Sequence, residues 1–400
     1  MSNHFFYLDP APKVNAEGPL TGKRIVVQSN IAVRGWPTTA GSLALENYAA
    51  LEDATAVARI RAQGGVIVGS SRMSELGFGL RDDAGEAVLR DEGTDAVLFT
   101  DFLGESRVTA ADAGVFGFKP TYGLVSRFGL IGLIPSMETY GIVSESTETI
   151  QMVLASIAGP DTRDFSMSDR DKPDFSDKKA NNKSTCKAGV PQEMMTMLAD
   201  EEKRLYQKGL DRLAACGIAV SAVSLPEFAL FSMVHSVVGS VEASSSAGKY
   251  DGVRYGHRTP GARNWNEMYL KSRGEAFGLL VKAYLFQGAY FQFEKYDLFE
   301  KAARIRSRLV KAVNDVLDTV DILVLPTRRK PCKAREAESV ADVYEAFSLT
   351  LPANVAGLPV LQVPRFMTDG KVDLGMQLMG KAFGDAVLFN LTGKLSQCKG

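Results

Sequence analysis

Four hundred residues, 45% of them hydrophobic and 23% charged, can bury a large core, and that balance excludes a fibrous or disordered chain. Forty-six basic against forty-seven acidic side chains leave a net charge of −1, which removes the basic footprint expected of a protein that grips nucleic acid directly. The four cysteines, Cys186, Cys216, Cys332 and Cys398, stand singly without C-x-x-C spacing, which argues against a zinc centre or a disulfide framework.

Along the chain, residues 23–33 form a β-branched run that reads as a strand. Ala54–Gln63 has helical spacing, and residues 64–69 return to strand. The alternation recurs at Glu202–Ala215 (helix) and Ile218–Val223 (strand), then at Lys301–Leu317 (helix) and Asp321–Leu325 (strand). This rhythm predicts an α/β fold with a central mixed β-sheet flanked by helices on both faces. Residues 161–184 are polar and read as a surface loop. Residues 1–18 read as an N-terminal tail and residues 19–400 as one domain. No basic-then-apolar leader and no apolar run of about 18 residues is present, so a soluble, cytoplasmic chain without a membrane span is expected.

The run Gly114-Val-Phe-Gly-Phe-Lys-Pro-Thr-Tyr-Gly123, followed by Val125-Ser-Arg-Phe-Gly-Leu130, resembles the core of the amidase signature family. Three further blocks carry the resemblance: Thr38 to Gly69; Val241-Glu-Ala-Ser-Ser245 with Tyr250-Asp-Gly-Val-Arg-Tyr-Gly256; and Leu351-Pro-Ala-Asn-Val-Ala-Gly-Leu-Pro359 with Gly375-Met-Gln-Leu-Met-Gly380. Within that family the chain is similar to the A subunits of tRNA-dependent glutamine amidotransferases. The resemblance implies amide hydrolysis by a serine nucleophile, a second serine that relays its proton, and a lysine base. It implies no metal or cofactor.

At the positions that match the family's motifs, the residues differ. Gln28, in Val27-Gln-Ser-Asn30, stands where the family has its lysine. Glu105, in Asp101-Phe-Leu-Gly-Glu-Ser-Arg107, stands where it has the nucleophile. The family's relay loop is rich in glycine and serine, whereas Leu80–Thr94 contains no serine. Asp101, Gly104 and Arg107 keep the family's spacing, which leaves Ser106 as the one hydroxyl able to act as a displaced nucleophile. Tyr255 and Arg306 match the family's glutamine-binding tyrosine and arginine, so with Asp101 and Gly104 they are the candidate substrate contacts. Phe347 replaces the carboxylate that would meet the substrate's ammonium.

Of the three histidines, His4, His235 and His257, none is expected to catalyse. Three readings follow. The first is a catalytically degenerate amidase that acts by binding or scaffolding; the alternative is an active amidotransferase of the A-subunit kind, rebuilt on Ser106. A third chemistry, with Glu105 and Asp101 as an acid/base pair, is less specific. A small amide or amino-acid ligand and B- or C-like partner subunits are implied. The short leading segment and the missing serine loop predict an apolar face covered by a partner. They also predict either an open groove at the site or one refilled by Leu80–Asp95.

Overall fold

The computed structural model describes residues 4–14, 16–91, 93–175, 186–329, 334–370 and 372–397. Eleven strands form one sheet: β1 (Phe5–Leu8), β2 (Arg24–Gln28), β3 (Val66–Ser71), β4 (Ala96–Asp101), β5 (Phe116–Lys119), β6 (Thr139–Ser144), β7 (Cys186–Pro191), β8 (Ile218–Val223), β9 (Ile322–Pro326), β10 (Val360–Val363) and β11 (Met376–Met379). Their order is β1-β3-β2-β4-β6-β5-β10-β11-β9-β7-β8. The pairs β3/β2, β2/β4, β9/β7 and β7/β8 are parallel, and the remaining neighbours are antiparallel. The helices are α1 (Thr55–Ala62), α2 (Gly85–Leu89), α3 (Glu105–Ala113), α4 (Thr147–Ile157), α5 (Asp200–Ala215), α6 (Leu230–Ser246), α7 (Trp265–Ala276), α8 (Leu279–Phe293), α9 (Tyr296–Leu317), α10 (Val340–Phe347), α11 (Leu351–Ala356) and α12 (Asp385–Gln397). Strands β3, β4 and β6 are buried at every position, so helices cover both faces of the sheet, as the βα rhythm predicts.

Local sequence explains the elements that carry the periodicity. Helix α9 turns Ala302, Leu309, Val313 and Leu317 inward, a stripe at helical steps. Helix α4 opens on Ser146, whose hydroxyl accepts the Thr149 N–H and so satisfies a donor that the first turn leaves unpaired.

The structure adds detail to two expectations. The tail expected over residues 1–18 contains β1, an edge strand antiparallel to β3, with Tyr7 packed on Trp36 at 4.8 Å. Four residues are too few to announce themselves by alternation. The loop expected over residues 161–184 is firmly tied at its start, because the Asp161 carboxylate accepts from Thr55, Ser126 and Arg163. Its residues 176–184 lie outside the described residues, as do Cys332 and Cys398; Cys186 is buried and Cys216 partly so.

The parallel pairing of β2 with β4 sets Val27 opposite Leu98, so Gln28 and Asp101 emerge at the same carboxyl edge of the sheet. In such sheets that edge is where ligands bind. From Asp101 the chain turns at Gly104 (φ +122°) straight into α3. A Cβ at residue 104 would sit 2.3 Å from the Thr350 hydroxyl oxygen. Gly104→Ala should therefore lower stability by about 2 kcal/mol or more in thermal or urea unfolding. Gly274, in α7 with open space around it, serves as a control: Gly274→Ala should stabilise by about 0.5–1 kcal/mol.

Candidate active site

The loop after β4 directs three backbone N–H groups at a single atom. The amides of Phe102, Leu103 and Gly104 donate to Glu105 Oε2 at 2.9, 2.9 and 3.0 Å. Glu105 is also the first residue of α3, so its carboxylate sits at a helix N-terminus where the backbone field favours negative charge. Its second oxygen, Oε1, is buried without a hydrogen-bond partner.

Around this nest the polar groups are tied to one another. Arg107 donates to Asp101 Oδ1 at 3.0 Å, to the Thr350 carbonyl at 2.9 Å and to Gln377 Oε1 at 2.7 Å, and also to Asn354 Oδ1. The amide nitrogen of Asn354 returns to Asp101 Oδ1 at 3.0 Å. Ser106 donates its hydroxyl to Asp101 Oδ2 and is fully buried. A Cβ on Gly141 of β6 would meet Ser106 Oγ at 2.2 Å, so the sheet backbone closes the space on that side. Gln28 is occupied at both ends: its Nε2 donates to Asp83 Oδ2 at 2.6 Å, and its Oε1 accepts the Thr100 N–H at 2.8 Å.

Asp83 comes from the segment that lacks the relay serine. Leu80, Val88 and Leu89 are buried there, α2 packs against β4, and Arg335 donates to the Asp83 carbonyl at 2.7 Å. Of the two forms expected for this region, the structure has the refilled one. Gln28 is 3% exposed, Glu105 2% and Asp101 0%, which describes a filled site, not an open cleft.

The structure brings Gln28, Asp101, Gly104, Glu105 and Ser106 together. Arg306 borders them through the Val355 carbonyl at 3.2 Å, but its other bonds go to Ser136, at 2.7 Å and 2.8 Å. Ser136 is held in turn by Glu242. Tyr255 packs on Tyr48 (5.4 Å between rings) with Arg254 over it, in a surface depression that none of the five central residues lines. Phe347 is buried. Among the described residues no group of three or more His, Cys, Asp or Glu is placed to hold a metal ion.

His235, which the sequence reading did not place at the site, borders the nest. Its Nε2 lies 2.8 Å from the Phe102 carbonyl and its Nδ1 2.9 Å from the Tyr344 hydroxyl, which in turn lies 2.8 Å from that of Tyr284. A carbonyl only accepts, so Nε2 carries the proton, Nδ1 accepts from Tyr344, and Tyr344 accepts from Tyr284. Burial pushes His235 down to about 3, which keeps the ring neutral. The available signal was its place on the inward stripe of α6 with Phe231, Val234 and Val238.

Burial works to raise Asp101, but the Arg107 guanidinium beside it holds its carboxyl below the usual range. Burial, and after it the Asp101 charge, push Glu105 up to about 8 against the pull of the three N–H donors. Burial also pushes Asp83 up to about 6.

The family described as "Amidase" matches residues 7–84 and 98–389, with the break falling on the segment that carries α2. Two relatives are each named as the A subunit of glutamyl-tRNA(Gln) amidotransferase. That of Pediococcus pentosaceus is 31% identical over 403 residues, covering 94% of this chain and 83% of its own. That of Haloarcula marismortui is 34% identical over 398 residues, covering 92% and 93%. The structure of the A subunit of glutamyl-tRNA(Gln) amidotransferase from Thermotoga maritima superposes with a TM-score of 0.76 at 24% identity, over 97% of this chain and 85% of that one, which is a likeness of fold.

These shifts set a pH dependence. Glu105 in the folded chain keeps a proton that it would ordinarily release near 4.5, so stability should fall as pH rises from about 4.5 and level off above about 8. Asp83 contributes a parallel loss between about 4 and about 6. Glu105→Gln should flatten the upper part of this slope in urea unfolding measured across that range. Equal slopes for wild type and variant would mean that the N–H donors keep Glu105 ionised throughout.

Proposed function

The chain belongs to the amidase family, and within it we propose that this protein does not hydrolyse amides and acts instead by binding, as a scaffold-like counterpart of the amidotransferase A subunits. The observation that carries this reading is the seat of Glu105 Oε2 on three backbone N–H groups. Acyl transfer needs such donors free, to meet the negative charge that develops on the substrate's carbonyl oxygen. Here a side-chain oxygen of the protein itself takes them.

The proton chemistry points the same way. Hydrolysis of this kind needs a base to receive the nucleophile's proton, and the amide of Gln28 cannot act as one. No serine is available over Leu80–Thr94 to pass the proton on. The partner implied is a B- or C-like protein of the kind that accompanies such chains, in a soluble assembly. Among the described residues no helix is long and apolar enough to cross a membrane.

A second reading is favoured by the relatives' names, which belong to amidotransferase chains that align with more than nine-tenths of this one. It makes the protein an active amidotransferase component with Ser106 as nucleophile. Against it, Ser106 is 0% exposed, donates its hydroxyl hydrogen bond to Asp101 and lies against the backbone of Gly141.

Ammonia release from glutamine, asparagine and simple aliphatic amides decides between the two, measured with and without B- and C-like subunits. No turnover is expected from wild type. None should appear in Glu105→Ser, nor in Glu105→Ser combined with Gln28→Lys, because the relay hydroxyl is still lacking and general-base assistance of roughly 10²–10⁴-fold goes with it. Turnover that disappears in Ser106→Ala would establish the active reading.

A further inference from the structure

Helix α8 is apolar on both of its sides. The inner side is seated, with Val281, Tyr284, Leu285 and Gly288 buried. Gly288 lets α8 close onto α6 so tightly that a Cβ there would lie 1.8 Å from the Ser240 carbonyl oxygen. The outer side exposes Leu279 (83%), Ala283, Phe286 (72%), Tyr290 (49%) and Phe293 (74%). These positions follow one another in steps of four, three, four and three, so they form one straight stripe, and none carries charge. Helix α5 shows the ordinary pattern in the same protein: its exposed positions are Asp200, Glu201, Arg204, Gln207, Lys208 and Asp211, with Ala214 and Ala215 in its last turn. A helix that is apolar all round is a buried helix.

We infer that the outer face of α8 is the contact through which two copies of this chain associate, as an antiparallel pair of α8 helices. The inference is independent of whether the protein hydrolyses amides. Area is the first argument. Aromatic side chains carry roughly 150–250 Å² each, so the stripe offers on the order of 500 Å² of apolar surface. Tyr296 (53% exposed) and Leu298 (41%) follow directly, and Met233 (60%) lies on α6, which packs along α8. Together they approach the roughly 800 Å² per partner that a stable interface needs.

The second argument is self-complementarity, which a twofold interface demands because each pairing occurs twice. The stripe is nearly symmetric about Phe286. An axis there sets Leu279 against Phe293 of the second copy and Phe286 against itself, and brings small Ala283 within one residue's rise of large Tyr290. The one charged side chain within α8, Lys282, falls opposite Tyr290 of the second copy, so no two like charges of α8 meet across the axis.

Sedimentation or light scattering of the full chain from about 1 to 100 µM tests this, alongside two variants. Wild type should be a dimer. Phe286→Glu, which sets two carboxylates face to face on the axis, should weaken association at least tenfold while its circular dichroism and melting midpoint stay those of wild type. Phe286→Cys should form a covalent dimer on mild oxidation that wild type, with its native cysteines, does not form. A wild-type monomer throughout the range, or a dimer that neither variant affects, overturns the inference. So does a monomer that binds a B- or C-like subunit through Phe286, since the face would then belong to a different protein.

Discussion

One buried cation fixes the geometry on which the site depends. The Arg107 guanidinium, fully buried, joins the end of β4 through Asp101, helix α11 through Asn354 and the Thr350 carbonyl just before it, and β11 through Gln377. A planar group with five fixed donors can serve all four acceptors at once, and a lysine could not. Removing it would leave the buried Asp101 charge with no countercharge beside it and only the Ser106 and Asn354 hydrogen bonds to hold it, a loss of about 3–5 kcal/mol. Because Asp101 is held at one end and α3 begins at the other, the intervening loop has no freedom to turn its amides outward. The convergence of three N–H groups on one point is thus a consequence of packing well away from that point.

Three donors converging in a dry interior must meet an acceptor. Glu105 supplies it from within the same turn, so no encounter with a second molecule is needed. The surroundings do little to offset its charge. Arg107 is already matched by Asp101, and His235 is neutral. This is why burial and the neighbouring carboxylate push Glu105 upward while the amides pull it down. The opposing influences make the carboxyl's protonation a sensitive reporter of the nest. His235 adds rigidity, since its N–H holds the carbonyl of the same peptide bond whose following amide points at Glu105.

The sheet and its helices were legible because apolar periodicity records burial. The stretches read as strand, helix, strand near the start, and the paired helices and strands later, all lie where the residues alternate or recur at helical steps. Gln28, Glu105 and the serine-free segment were legible only by resemblance, since nothing in a lone glutamine or glutamate announces a site. Edge strand β1 was too short for its pattern to be read. Asp83 and Tyr344 could not be anticipated, because their partners come from segments far away in sequence. Tyr255 resembles a substrate contact by its motif, yet its ring packs on Tyr48. A motif preserves local backbone, whereas the direction of a side chain follows its distant neighbours.

The central claim is that the nest is an anion site that the protein fills with its own side chain, and restoring the missing group tests it most directly. Glu105→Ala removes a CH2–carboxyl unit, which is the size of acetate and its conjugate acid. The account predicts that acetate raises the melting midpoint of Glu105→Ala in a saturable way, following the logarithmic dependence on free ligand expected for binding to the folded state, and leaves wild type unchanged. It would be contradicted by a Glu105→Ala variant as stable as wild type and indifferent to acetate, or by wild type responding to acetate as the variant does.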